Sequence, residues 1–102
     1  MELECIQMIT AVGNARSLYI EAIHEAKAGN FNAAKEKLKE GEKSFLEGHH
    51  IHADFLTREA NGELEASSLL LIHSEDQLMS AEGFHIIAQE MIELYQMMKG
   101  ER

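Results

Sequence analysis

Residues 5–31 read CIQMITAVGNARSLYIEAIHEAKAGNF, and in them Cys5, Met8, Val12, Ala15, Tyr19, Ala22 and Ala26 recur at alternating spacings of three and four. That rhythm sets all of them on one face of an α-helix. Gly29 then supplies the left-handed residue that stops a helix, and Asn30 stands where it can cap the next one. A turn this short makes the flanking helices antiparallel neighbours.

Downstream, Phe31, Ala34, Leu38, Gly41, Phe45, His49, His52 and Phe55 repeat the helical spacing, with two histidines and a glycine on an otherwise apolar stripe. Asn61 and Gly62 end it, and residues 61–66 form a polar linker. Ser67 or Ser68 can cap a third helix, whose later part carries Phe84, Ile87, Met91, Leu94 and Met98; projected backwards, that stripe passes through Ala81, Gln77 and His73. The expectation is an all-α, antiparallel three-helix bundle running up, down and up.

The chain has 102 residues, no proline and seven glycines, so nothing forbids long helices. It fits one domain, residues 1–102, with a single core. A domain of this size leaves about a third of its chain surface in water, and three long amphipathic helices would have apolar stripe to spare for subunit contacts. The formal net charge is -9, which argues against nucleic acid or anionic lipid as a partner and for a basic protein. No apolar run approaches the roughly 20 residues a bilayer crossing requires, and no signal peptide is present, so a cytoplasmic location is expected without membrane insertion. Cys5, the one cysteine, reads as a small core residue.

The densest chemistry lies in residues 69–79, LLLIHSEDQLM, where His73 follows four aliphatic residues and precedes Asp76 by three. On a helix that spacing brings the carboxylate within reach of the imidazole, where it can fix a tautomer or help hold a metal. A neutral imidazole is a competent nucleophile towards phosphorus. The same pattern also suits a core histidine satisfied by Asp76.

Other histidines have weaker claims. Glu21 with His24, Glu47 with His50, and Glu82 with His85 share the Glu-x-x-His spacing of di-metal bundles, but such a site draws on four helices and this chain offers three. His49 and His52 stand one turn apart without a thiolate or third fixed ligand. Arg16, near the inner face of the first helix, suits either a phosphoryl contact or a carboxylate pair. Met91, Met97 and Met98 suit core filling or an adaptable contact surface. Lys35, Lys37, Lys39 and Lys43, interleaved with Glu36, Glu40 and Glu42, form a solvated helix face.

Three segments carry a family resemblance: Gly13-Asn14-Ala15-Arg16-Ser17; Ala28-Gly29-Asn30-Phe31 with Ala33-Ala34-Lys35; and Ile72-His73 to Met79 with Ile92-Glu93-Leu94-Tyr95. The chain resembles, from about Ile6 to Lys99, the enzyme IIA component of the lactose/cellobiose (chitobiose) family of the bacterial phosphoenolpyruvate-dependent sugar phosphotransferase system. The resemblance implies a homotrimer of three-helix subunits, a nine-helix bundle in all. It implies that His73 is phosphorylated by the phosphocarrier HPr and delivers the phosphoryl group to a cysteine of enzyme IIB. It also implies that Asp76 lies near the three-fold axis and helps bind a divalent metal ion there, with magnesium the expected one.

The family usually has glutamine where this chain has Glu75 and histidine where it has Gln77. Upstream, its usual histidine followed three residues on by Gln-Thr appears as His49 followed by His52-Ala53. A second reading is a non-enzymatic acidic helical interaction module without phosphotransfer; it predicts no covalent modification of His73.

Overall fold

The computed structural model describes residues 1–64 and 68–100, and within them the chain forms α1 (Glu2–Lys27), α2 (Phe31–Ala60) and α3 (Leu69–Met98). The first turn closes as its residues dictate. Gly29 adopts φ +86°, and the Gly29 and Asn30 amides donate back to the Ala26 and Glu25 carbonyls at 3.0 and 2.8 Å, satisfying acceptors that a helix end leaves open. Asn30 occupies the N-cap position of α2 but makes no side-chain cap bond; its amide instead donates to Glu25 across the turn at 3.2 Å. Asn61 and Gly62 terminate α2, Gly62 at φ +71°. Glu63 and Leu64 follow outside any helix, while 65 and 66, the rest of the expected linker, lie outside the described residues. Ser68 caps α3, its Oγ accepting from the Leu71 amide at 3.1 Å; Ser67, the other candidate, is likewise outside the described residues.

The helices run up, down and up in a rod of 54 × 20 × 19 Å. α1 is the spine, packed along both partners, while α2 and α3 meet each other less. All seven residues of its expected stripe are buried, together with Ala11. Small residues bring the backbones close. A Cβ on Gly41 would fall 2.5 Å from the Tyr19 ring, and one on Gly48 would fall 2.5 Å from Val12 Cγ1.

Two expectations require correction. On α2 the buried position is Gly48, and His49 next to it is exposed, because the close crossing of α1 admits no side chain there. On α3 the stripe from Phe84 to Met98 is not the buried one: Ile87 is 55% and Met98 72% exposed. The helix instead buries Leu71, Ser74, Leu78, Ala81, Ala88 and Ile92, and of the projected set Ala81 is buried, Gln77 is half-buried and His73 is exposed. α3 is apolar on two faces, and its smaller-residue face fits against α1. Leu69, Ile72, Met79, Ile86, Leu94 and Met97 stay uncovered.

Candidate functional site

The turns after Ser68 set the site. Leu71 and Ser74 point inward, Ser74 donating its hydroxyl to the Leu71 carbonyl at 2.8 Å, so the 100° step per residue turns Ile72, His73 and Asp76 to the outside. His73 forms no hydrogen bond or ion pair with any described residue, Asp76 included. The expected carboxylate contact is therefore not made within the chain. Asp76 lies in line with Ile72 and Met79, in the exposed apolar stripe of α3.

The neighbours on α3 are tied to the other helices. Glu75 faces α2 and meets His52 Nε2 at 3.3 Å. Gln77, one turn beyond His73, turns towards α1 and accepts from Arg16 Nη1 at 2.6 Å. The carboxylate pair expected as one alternative for Arg16 is not formed among the described residues, none of whose carboxylates lies within 4 Å of its guanidinium. At this end of the bundle Arg58 of α2 bridges Glu4 of α1 at 2.9 Å and Asp54 at 3.1 Å, with its guanidinium 4.9 Å from the Phe55 ring centroid. Those contacts clamp the α1 start to the α2 end beneath α3.

The remaining histidines separate. His85 Nε2 donates to Glu42 at 2.7 Å rather than sharing a site with Glu82. His49 stacks on Phe45, ring centroids 6.3 Å apart, so it does not converge with His52. Among the described residues, no three His, Cys, Asp or Glu side chains of one chain gather as a metal site. The Arg16–Gln77 and His52–Glu75 pairings were invisible to sequence reasoning: each residue had been singled out alone, and spacing within one helix says nothing about partners on another.

Among the described residues, fold and site together define an all-helical bundle that presents an imidazole without a partner near the head of its third helix. The chain belongs to the lactose/cellobiose-specific IIA subunit family of the sugar phosphotransferase system, whose family model matches residues 3–96. It is 36% identical over 102 residues to the lichenan-specific phosphotransferase enzyme IIA component of Bacillus subtilis (strain 168), covering 100% of this chain and 93% of that protein. The crystal structure of the cellobiose-specific enzyme IIA from Bacillus anthracis superposes with a TM-score of 0.93 at 35% identity, covering 98% of this chain and 92% of that one. The solution structure of the chitobiose IIA–HPr complex from Escherichia coli gives 0.84 at 30% identity, covering 96% and 95%. Among the described residues no helix is long and apolar enough to cross a membrane.

Proposed function

We propose that this chain is a cytoplasmic phosphocarrier whose His73 accepts a phosphoryl group from phospho-HPr and passes it to a cysteine of enzyme IIB. The observation that carries the reading is the exposure of His73, free of described partners, within the segment matched by the family model. A lone pair on the His73 ring forms the new N–P bond while the donor imidazole departs with the electrons of the old one. The proton on the far nitrogen of His73 leaves to solvent, and the departing imidazole takes one up. In the second step a cysteine thiolate attacks phosphorus to form the S–P bond, the N–P bond breaks with its electrons on the His73 ring, and that ring takes up a proton from solvent.

Assembly as a homotrimer is part of the proposal. The large apolar side chains that α3 leaves exposed, Leu69, Ile72, Met79 and Ile86 among them, are surface that a subunit contact would cover. Asp76 sits within it, and one carboxylate does not hold an ion. Three copies around an axis would supply hard oxygen donors suited to magnesium, which would offset their mutual repulsion. The relatives named above serve lichenan, cellobiose and chitobiose systems; a carrier that never touches the sugar leaves the transported sugar to other components.

The test is intact-mass spectrometry at neutral to alkaline pH after incubation with phosphoenolpyruvate, enzyme I and HPr. One acid-labile phosphoryl adduct on the native chain and none on folded His73→Ala is expected. No adduct on the native chain, with HPr itself phosphorylated, would overturn the reading in favour of an acidic interaction module.

A further inference from the structure

In a chain of net charge -9, a half-buried guanidinium would ordinarily be neutralised by a carboxylate. Arg16 is not. Its one described partner is the neutral amide of Gln77, at 2.6 Å. Arginine only donates, so the amide oxygen must face Arg16 and the amide NH2 must face away. That NH2 makes no bond to any other described residue.

Position then decides what the pair can serve. Gln77 follows His73 by one helical turn, a rise of roughly 6 Å, and a side chain on an α-helix covers the turn that precedes its own Cα. The cross-helix bond therefore leaves two features on the turn that follows His73: an N–H donor, and a positive charge that no described carboxylate cancels. A phosphoryl group on His73 would bring close to two negative charges, with Glu75 and Asp76 already adding repulsion. Of the other described cations at this end, Arg58 is taken up by Glu4 and Asp54.

We propose that Arg16 is a positioning residue for phosphotransfer. It locks the Gln77 amide with its NH2 towards the phosphoryl oxygens, and it holds in reserve the charge that balances the incoming dianion. The proposal rests on His73 being the phosphorylated residue. In this arrangement the α1 arginine supplies the charge and sets the orientation of the Gln77 amide.

Gln77→Glu separates this role from a structural one. The variant exchanges a neutral bond for an Arg16 ion pair, so the fold should hold and the melting temperature should stay level or rise, yet the free donor is lost and the charge is cancelled. Phosphoryl acceptance from phospho-HPr should fall roughly tenfold or more, followed by quench and intact-mass spectrometry under single-turnover conditions. Arg16→Gln should show a similar loss while circular dichroism confirms its helices, and Arg16→Lys should recover part of it. Native rates in both Gln77→Glu and Arg16→Gln, with the native chain phosphorylated, would overturn the role of Arg16 and leave the carrier reading intact. Failure of the native chain to accept phosphoryl would overturn both.

Discussion

Glu42 of α2 and His85 of α3 meet at 2.7 Å, and the imidazole so held lies against Tyr19 of α1 with ring centroids 5.0 Å apart. All three helices thus contribute to one polar cluster in the middle of the bundle. Tyr19 itself is fully buried, and its hydroxyl has no partner among the described residues.

Burial, and secondly the charge of Glu42, push the Tyr19 phenol up to about 12 from 10.0. The native state therefore keeps a proton that the unfolded chain releases. Ionisation of this group leaves stability unchanged below pH 10 and lowers it as pH rises from 10 towards 12, at about 1.4 kcal/mol per pH unit. Urea denaturation of the native chain and Tyr19→Phe across that range should show the extra slope in the native chain alone. At neutral pH the variant should match or exceed the native stability, because it buries no hydroxyl without a protein partner.

Gly48→Ala tests the closest helix crossing. Alanine favours a helix by about 1 kcal/mol over glycine, but here its methyl would press into Val12 at 2.5 Å, and overpacking costs about 1–3 kcal/mol. A lowered urea midpoint at unchanged slope is the expected outcome; a raised midpoint would contradict the packing described for α1 and α2.

Glu75→Gln removes a carboxylate two residues from His73. Like unit charges roughly 7 Å apart repel by about 0.6 kcal/mol in water and about 2.4 kcal/mol at an effective dielectric of about 20, so acceptance from phospho-HPr should rise roughly threefold or more. Loss of the His52 contact, 3.3 Å and partly exposed, should cost less than about 1 kcal/mol. Single-turnover kinetics and thermal melting read the two effects separately.

Light scattering with and without a chelator examines the shared face of α3. The native chain should be a trimer that dissociates more readily once divalent ions are removed, and Asp76→Asn should remain a trimer in either condition, its carboxylate repulsion gone. Monomers throughout would contradict the assembly.

Much of the architecture is legible in the spacing of residues. The α1 stripe from Cys5 to Ala26 is buried as its periodicity requires, Gly29 stops that helix, and a serine at 68 caps α3. His73 stands out through its surroundings and the family resemblance, and the structure presents it to solvent. The α3 face was misjudged for a physical reason. Hydrophobic spacing there favours large side chains, whereas a bundle this thin needs Ser74, Ala81 and Ala88 to let α3 approach α1, with the half-buried His85 among them.

Three helices, the stops of α1 and α2, the inward face of α1 and the histidine that draws attention were all legible along the chain, because those features depend on neighbours within a few residues of one segment. Only the tertiary structure decided the rotation of α3 about its axis and the pairings of Arg16 with Gln77, His52 with Glu75 and His85 with Glu42. Those outcomes depend on how three surfaces of different relief fit together. A period of 3.6 residues records which side chains share a face, but not which face meets which.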